Sequence, residues 1–213
     1  MKSVQIRGRW QLDAAAINRN ARAIVAQIGL ETLAVYRFLQ DRLAQPDGCD
    51  DPVFQFLFRS FYRLDNAGLT PDFKQAYFAL LRVQVPGSTP DVAPLTRALY
   101  EFRNLRGRQT LQFSFATKLA STVNPDVPVY DSQVARMYGF VPPFWYETFE
   151  DRLTAFCEFH RFLHEDYEEI AKSGALAAAL DELERVYGEL AVSLRQNKKL
   201  DFLIWSAGKA SRA

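Results

Sequence analysis

An all-α fold is what this sequence predicts, and three observations point to it. Apolar residues recur at three- and four-residue steps along most of the chain, which is typical of amphipathic helices. Side chains that cap helix N-termini stand directly before proline at several points. The sequence has no long alternating β-branched stretch, and no Asn-Gly or Asp-Gly turn joins two such stretches. We therefore expect a helical protein.

Two helices are expected at the start of the chain, over residues 12–27 and 31–43. Apolar residues follow the helical spacing in both, and Gly29 lies between them, where a glycine that ends a helix commonly sits. Three further helices are expected where a capping side chain precedes proline, because the N–H group that proline lacks would be unpaired in a first turn. These starts are Asp51-Pro52, Thr70-Pro71 and Thr89-Pro90.

After the break at residues 86–88 and the helix expected from Thr89-Pro90, helical spacing resumes at about Gln109 and continues almost to the end of the chain. Asn124-Pro125 is expected to stop one of these helices, because proline does not fit inside a helix. Ser173-Gly174 is expected to separate two longer ones. Together with the earlier elements this gives about ten helices. The remaining expected helices, in order, cover residues 109–123, 128–137, 152–172, 175–194 and 201–208.

Length and composition favour one globular domain over residues 1–213. The chain is long enough to bury one substantial core. Its content of 48% hydrophobic and 24% charged residues is ordinary for a globular protein and excludes a mainly disordered or fibrous one. We therefore expect a single compact all-α domain.

Cysteine content and hydropathy predict a cytoplasmic protein. Cys49 and Cys157 are the only cysteines, too few for a disulfide framework or an iron–sulfur cluster. The N-terminal residues carry charges instead of the apolar core of a secretory signal, and no apolar run is long enough to span a membrane. We expect no membrane association and no cofactor.

The charge balance limits the surface that could bind nucleic acid. The formal net charge is +1, so the chain as a whole lacks the excess of a strongly basic nucleic-acid binder. Any basic surface must therefore be local. Residues 103–136 carry about five cations against two anions, a modest local excess. The most informative motifs lie in the same stretch.

Lys118 and Asp131 are the most informative pair of residues. A helix is expected to present Lys118, and a proline-rich turn is expected to present Asp131 at the start of the next helix. An aspartate held there either caps backbone N–H groups or faces a cleft. A carboxylate near a lysine suits acid–base or nucleophilic catalysis, whereas a lysine on a mostly apolar helix also commonly extends its amine to solvent. Both interpretations are open for both residues.

The segment Pro-Val-Tyr-Asp-Ser-Gln-Val at residues 128–134 resembles the segment that carries the aspartate in helix-hairpin-helix DNA glycosylases. Asp131 matches that aspartate. Phe-Ala-Thr-Lys at residues 115–118, Asn124-Pro125 and Leu-Asp-Phe-Leu-Ile-Trp at residues 200–205 are also similar to an uncharacterised, 8-oxoguanine-glycosylase-like branch of the superfamily. The resemblance implies two helical subdomains that flank a cleft.

The resemblance also implies a DNA N-glycosylase, with or without lyase activity, that acts on a damaged base, oxidised bases included. Such enzymes extrude the damaged nucleotide, because its glycosidic bond is unreachable inside the duplex. Asp131 would then stabilise the positive charge that develops on the sugar. Lys118 is the candidate amine nucleophile, although the resemblance does not match it to the family's lysine. The residues expected to line the base pocket are Tyr130, Phe115 and Trp205.

The expected DNA contacts lie near the position of the family's hairpin and beside Asp131. That hairpin usually reads Leu-Pro-Gly-x-Gly, and its backbone N–H groups hold a phosphate. The nearest segment here, residues 105–109, has one glycine and no proline, and Gln109 stands about where bifunctional members carry their lysine. The candidate nucleic-acid-binding residues are Arg106, Gly107, Arg108, Gln109, Ser132 and Arg136.

A metal site is geometrically permitted on one helix but is not expected. His160, His164 and Glu168 share a helix face with Cys157, at spacings that metal ligands use. The same helix also carries an apolar stripe that includes His160. That stripe favours a buried, hydrogen-bonded histidine.

Two other classes of function are open. Nucleic-acid binding without catalysis agrees with the near-neutral charge and the missing hairpin pattern. A helical protein-interaction domain agrees with the aromatic content of 14%. Phosphate-binding loops, dinucleotide-binding glycine motifs and nucleophile elbows have no match in the sequence, so the common nucleotide hydrolases, dinucleotide oxidoreductases and esterases have no support.

Overall fold

The chain is helical in the residues that the computed structural model describes, which are 10–146 and 148–210. Within these ranges the β structure consists of two isolated bridges, so the all-α prediction is confirmed. None of the described helices combines the length and the apolar character needed to cross a membrane. A short 3-10 helix covers Gly48–Asp50. The α-helices of these ranges are α1 (Ala14–Arg19), α2 (Ala21–Ala26), α3 (Leu30–Leu43), α4 (Pro52–Phe61), α5 (Pro71–Arg82), α6 (Val92–Tyr100), α7 (Phe113–Val123), α8 (Ser132–Met137), α9 (Phe149–Ser173), α10 (Ala177–Tyr187), α11 (Glu189–Val192) and α12 (Gln196–Ala210).

The described residues form two compact units. The terminal unit combines the described parts of Met1–Leu30 and Pro128–Ala213, so both ends of the sequence contribute to it. The central unit is the continuous segment Glu31–Val127. The expectation of a single domain over residues 1–213 stays a prediction.

Helix α12 is the centre of the terminal unit. It packs against α1, α2, α8, α9 and α10, and Leu200, Leu203 and Ile204 are completely buried. Ser206 is buried as well, and its hydroxyl donates a hydrogen bond to the Ile24 carbonyl at 2.7 Å. A helix with neighbours on most faces needs apolar or paired side chains on all of them. This helix therefore joins the first helices of the unit to the last.

An aromatic cluster forms the other part of the core of the terminal unit. The rings of Phe140 and Phe159 stack with their centroids 4.2 Å apart, and the other rings meet mostly edge to face. Offset and edge-to-face pairs are the arrangements that the charge distribution of aromatic rings favours. Much of the aromatic content therefore serves the core. The cluster consists of Trp10, Tyr130, Tyr138, Phe140, Phe156, Phe159 and Phe162.

Two helices of the central unit begin at the predicted proline-containing sites. The Asp51 carboxylate accepts the Val53 N–H at 2.7 Å, and Pro52 is the first residue of α4. The Thr70 hydroxyl accepts the Phe73 N–H at 3.3 Å at the start of α5. Each cap satisfies an N–H group that has no partner within the helix. These two predicted starts are confirmed.

The predicted helix start at Thr89-Pro90 is wrong. Helix α6 begins at Val92, and the Asp91 carboxylate caps it by accepting the Ala93 N–H at 3.0 Å. The Thr89 hydroxyl instead accepts a hydrogen bond from the Asn124 side chain at 3.0 Å. Because a residue distant in sequence engages this hydroxyl, Thr89 does not serve as the cap.

Two of the long predicted helices are interrupted. The one over residues 12–27 divides at Asn20, whose side-chain amide donates to the Ala16 carbonyl at 2.9 Å. Local side-chain bonds of this kind compete with helix continuation. The one over residues 175–194 divides at Gly188, whose φ of 55° and ψ of −132° lie where residues with a Cβ are strained.

Two other predicted boundaries are displaced. The helix expected from residue 109 begins at Phe113, because Gln109 lies in an isolated bridge with Arg103. The last helix, expected over residues 201–208, extends over Gln196–Ala210. The apolar pattern alone underestimates its length, because its first turn contains polar and charged residues that do not continue that pattern.

Replacement of Gly208 by alanine is expected to destabilise the protein. A Cβ atom at this position would lie 2.4 Å from the Gln133 carbonyl oxygen of α8, so the two helices would have to separate. Alanine is the better helix former, and propensity alone would raise the free energy of unfolding. We expect a loss of about 1–3 kcal/mol instead, measured by chemical denaturation.

The exposed helical residue Ala178 supplies the control for this substitution. Ala178→Gly changes helix propensity without altering a close contact and should cost about 1 kcal/mol. A Gly208→Ala protein as stable as the wild type would show that the two helices are not in close contact at Gly208.

Candidate active site around Asp131

Asp131 is the N-cap residue of α8 and is half-buried. Its backbone is extended, and its Oδ1 atom accepts the Gln133 N–H at 2.8 Å. The carboxylate therefore acts as a helix cap, which is one of the two roles that the sequence allows for it. A capped helix start also fixes the rotamer of the aspartate, which holds the carboxylate in one place at the surface of the terminal unit.

Two buried side chains hold the segment that leads to Asp131. The Val129 N–H donates to the Asp201 Oδ1 atom at 3.1 Å. The Pro128 carbonyl oxygen lies 2.8 Å from His160 Nε2. A carbonyl oxygen only accepts hydrogen bonds, so this contact requires the proton of the neutral imidazole to be on Nε2. Both supporting side chains are themselves buried, His160 in α9 and Asp201 in α12.

Asp201 is the centre of a buried polar network. Its Oδ2 atom lies 2.8 Å from Lys198 Nζ, and its Oδ1 atom also accepts the Tyr167 hydroxyl at 3.0 Å. Lys198 and Asp201 are 3% and 5% exposed, so the ion pair is almost completely removed from water. Burial of a charge is expensive unless opposite charge and hydrogen bonds compensate it. Here both carboxylate oxygens have such partners.

Burial shifts the pKa values of the two histidines beside this network, His160 and His164. Burial lowers the pKa of His160 to about 4, although the bond to Pro128 opposes the shift. Burial also lowers the pKa of His164, against the attraction of Asp201 and Glu168. The histidines on the predicted face of α9 are therefore neutral at physiological pH.

Helix α8 is fixed from its other side by α12. The Arg136 Nη1 atom donates to the Gly208 carbonyl at 2.8 Å and to the Gln133 side chain at 2.7 Å. Arg136 thus links the helix that Asp131 begins to the helix that carries Asp201. Ser132, the neighbour of Asp131, is exposed. Arg136 and Ser132 stay predicted DNA contacts.

Lys118 lies in the central unit, whereas Asp131 lies in the terminal unit. The Lys118 Nζ atom is 3.5 Å from the Tyr62 carbonyl oxygen and 5.1 Å from the centre of the Phe115 ring. Tyr62 is the C-cap of α4, where a cation is stabilised by the helix dipole. The amine therefore has a structural environment of its own, and its role as a nucleophile stays a prediction.

Residues 104–108 form a tight turn in the central unit. The Asn104 side chain accepts the N–H groups of Arg106 at 2.9 Å and Arg108 at 3.1 Å. The Gly107 N–H donates to the Asn104 carbonyl at 2.9 Å. A phosphate at this turn would therefore meet side chains, because these backbone donors already have acceptors. Arg106, Gly107, Arg108 and Gln109 are all exposed.

The three aromatic residues predicted for a base pocket lie in different surroundings. Tyr130 is buried in the aromatic cluster of the terminal unit, and Phe115 is buried against Phe73 in the central unit. Trp205 is half-buried, with the Lys209 ammonium group 5.4 Å from its ring centre. Their function in base binding stays a prediction.

Several informative residues were not found from the sequence. Phe144 and Trp145, between α8 and α9, are 80% and 60% exposed, but sequence alone does not distinguish exposed aromatic residues from core ones. Lys198 and Asp201 did leave a signal, since they are oppositely charged and three residues apart, directly before the apolar run at residues 202–205.

Acidification is expected to destabilise the protein through His160. The unfolded chain binds a proton on this histidine near pH 6.5 and the folded chain near pH 4. Between these values the unfolded state binds more protons, so the free energy of unfolding should fall as the pH is lowered, by up to about 3 kcal/mol. His160→Gln keeps an N–H donor for Pro128 and does not titrate.

The measurement is chemical denaturation of the wild type and His160→Gln between about pH 7 and pH 4. The stability difference between the two proteins should shrink as the pH falls. Parallel curves would argue against a buried neutral His160. His164→Gln removes the less buried neighbour, whose pKa is also lowered, so its stability difference from the wild type should shrink less over the same pH range.

Removal of the Asp201 charge alone is expected to lower the free energy of unfolding of the terminal unit more than removal of the whole ion pair does. Asp201→Asn leaves the Lys198 ammonium buried without its counter-charge, which should cost about 3–5 kcal/mol. The double variant Lys198→Met, Asp201→Asn should regain part of that loss. Urea denaturation measures both, and hydrogen exchange at the Gln133 amide measures the start of α8. Equal losses in the two variants would contradict the coupling.

No family model, no curated protein and no solved structure matches this chain. The function is therefore inferred from the residues around Asp131 and from the resemblance in that segment.

Proposed function

We propose that this protein is a DNA N-glycosylase that removes a damaged base, with Asp131 as its catalytic carboxylate. The observation that carries the proposal is the position of Asp131. It is half-buried at the first turn of α8, and the segment before it is fixed by Asp201 and His160. A carboxylate that the fold already holds in place reorganises little when positive charge develops beside it.

The reaction breaks the bond between C1′ of the deoxyribose and the nitrogen of the base. The bonding electron pair leaves with the base, and positive charge builds up on the sugar. The Asp131 carboxylate stabilises that charge and orients a water molecule toward C1′. The water oxygen forms the new bond to C1′, and its proton goes to the carboxylate and then to solvent. The base must be extruded from the duplex before this can happen.

A lyase form of the reaction uses an amine in place of water. Lys118 is the candidate for that amine because it is the lysine of the helix that precedes Asp131 in the sequence, although the resemblance matches Asp131 and not Lys118. Its Nζ atom lies near the Tyr62 carbonyl and the Phe115 ring, and attack on C1′ requires the neutral amine. Borohydride trapping of a covalent adduct with lesion DNA, lost in Lys118→Gln, distinguishes this form from the hydrolytic one.

Binding to nucleic acid without catalysis is the second candidate function. The exposed side chains of Arg106 and Arg108 favour it, because they need no catalytic residue to contact phosphates. Binding would then be salt-dependent and would survive Asp131→Asn. Base excision that depends on Asp131 would distinguish a glycosylase from a protein that only binds nucleic acid.

Loss of the Asp131 carboxylate is expected to abolish base excision without unfolding the protein. Asparagine and serine are also good N-cap residues, so Asp131→Asn and Asp131→Ser should keep the start of α8. We expect the single-turnover rate of excision to fall by about 100-fold or more in both. The assay follows release of the base from duplex oligonucleotides that carry different lesions, 8-oxoguanine among them.

Asp126→Asn is the matched control for that experiment. Asp126 is an exposed carboxylate in the loop between α7 and α8, so its removal should leave the excision rate unchanged. If wild type and Asp131→Asn are equally active, or equally inert across the lesion panel, Asp131 is not the catalytic residue of a glycosylase.

A further inference from the structure

We propose that the aromatic loop, residues 141–146, binds a cationic segment of a partner protein through arginine or lysine side chains of that segment. The loop joins α8 to α9 in the terminal unit. Asp131 lies at the start of α8, whereas the loop follows the end of that helix. The inference therefore goes beyond the proposed function and does not depend on it. The exposed apolar side chains of the loop are those of Val141, Phe144, Trp145 and Tyr146.

The aromatic loop exposes large apolar side chains that follow one another in the sequence. Phe144 is 80% exposed, Trp145 60% and Val141 65%. The preceding ring, that of Phe140, is buried and stacks on Phe159 with the centroids 4.2 Å apart. The core of the unit therefore ends at Phe140, and the rings after it face solvent. Exposed apolar side chains that are grouped together and rimmed by polar residues are typical of a surface that binds a partner.

Local hydrogen bonds order the backbone of the aromatic loop. The Phe144 N–H donates to the Pro142 carbonyl at 2.8 Å, and the Tyr146 N–H donates to the Pro143 carbonyl at 3.3 Å. Pro143 is itself buried, and a proline ring fixes the φ angle of its residue. An ordered loop loses little conformational entropy when a ligand binds. The loop therefore presents its exposed rings on a fixed backbone.

The rings of Trp145 and Tyr146 are arranged in a way that suits a cation. Their centroids are 5.7 Å apart, and their planes are inclined at 69°. The face of an aromatic ring carries negative charge density and attracts guanidinium and ammonium groups, and the face of tryptophan does so most strongly. Inclined ring faces are also the walls of the aromatic cages that bind ammonium groups. The rings therefore favour an arginine or lysine side chain over a purely apolar one.

The charges beside the aromatic loop favour the same ligand. Residues 141–151 contain three acidic residues and no lysine or arginine. Two of the acidic residues, Glu150 and Asp151, are exposed in the first turn of α9. The next cation in the sequence, Arg152, donates from its side chain to the Thr148 carbonyl at 3.2 Å. Opposite charges across an interface favour the correct partner, and here the correct partner is positively charged.

The same charges disfavour the other molecules that bind exposed aromatic side chains. Acidic residues repel a phosphate backbone and an anionic lipid surface. A two-fold dimer through the aromatic loop would bring the acidic residues of both copies together, because such a dimer uses the same patch on each subunit. Like charges that face each other in an interface are unfavourable. A cationic segment is the ligand that complements both the rings and the carboxylates.

Fluorescence anisotropy with defined peptides tests this proposal on the full chain. The probe is a short fluorescein-labelled peptide of Arg-Leu-Gly repeats. In a matched peptide citrulline replaces each arginine, which keeps the shape of the side chain and removes its charge. We expect the arginine peptide to bind about tenfold more tightly than the citrulline peptide. Its affinity should fall as the salt concentration rises from ~50 to 200 mM.

Substitutions in and beside the aromatic loop separate the effect of the ring from that of the carboxylate. Trp145→Leu keeps an apolar side chain but removes the ring face, and it should weaken binding of the arginine peptide about three- to tenfold. Trp145→Phe should regain part of that loss, because phenylalanine supplies a weaker ring face. Glu150→Gln should weaken binding about twofold at low salt and less at high salt.

Matched controls remove similar side chains elsewhere. Phe56 on α4 is 59% exposed, so Phe56→Leu removes an equally exposed ring from the central unit. Glu158→Gln removes an exposed carboxylate farther along α9. Neither substitution should alter binding of the arginine peptide. All the substituted positions are at the surface, so thermal unfolding of every variant should match that of the wild type.

The outcomes decide between a cationic segment and the other ligands. Charge-dependent binding that weakens in Trp145→Leu and is unchanged in both controls supports the proposal. Equal affinity for the two peptides would overturn it, as would binding that Trp145→Leu leaves unchanged. If the wild type binds no arginine peptide, the proposal is also overturned. Self-association in light scattering or binding to phosphatidylcholine vesicles, lost in Trp145→Leu, would then assign the loop to a second copy or to a lipid surface. Base excision has no part in this test, so failure of the proposed function and failure of this inference are separate results.

Discussion

The ion pair between Lys198 and Asp201 is the interaction on which the terminal unit depends. Its two charges are almost completely buried, and removal of water from a charge costs several kcal/mol unless that charge is paired. The Asp201 carboxylate offsets this cost further by accepting hydrogen bonds from the Tyr167 hydroxyl of α9 and from the backbone N–H of Val129. One side chain of α12 thereby fixes α9 and the loop before α8.

The position of Asp131 follows from this arrangement. Asp201 and His160 hold Val129 and Pro128 in the loop before α8, and Gly208 allows α8 to pack closely on α12. Asp131 itself is half-buried. Electrostatic catalysis requires a carboxylate that is rigidly supported and that the substrate can still reach. The proposed chemistry uses only what this arrangement supplies.

Local chemistry made much of the fold predictable from the sequence, and long-range contacts explain what was missed. Asp51 and Thr70 cap the helices that follow them, because a cap depends on neighbouring residues only. Thr89 does not act as a cap, because Asn124 engages its hydroxyl. The Lys198–Asp201 pair was missed because charged residues on a helix normally face solvent. For Asp131, the sequence indicated the cap but neither of its supports.

The division of the chain has a consequence for the order of its folding. The central unit is one continuous segment, so it can fold as soon as that segment has been synthesised. The terminal unit is different, since Ser206 of α12 bonds the carbonyl of Ile24 near the other end of the chain. Its first helices must wait for α12, with their apolar faces uncovered in the meantime. Asp131 therefore acquires its final surroundings only after α12 has been synthesised.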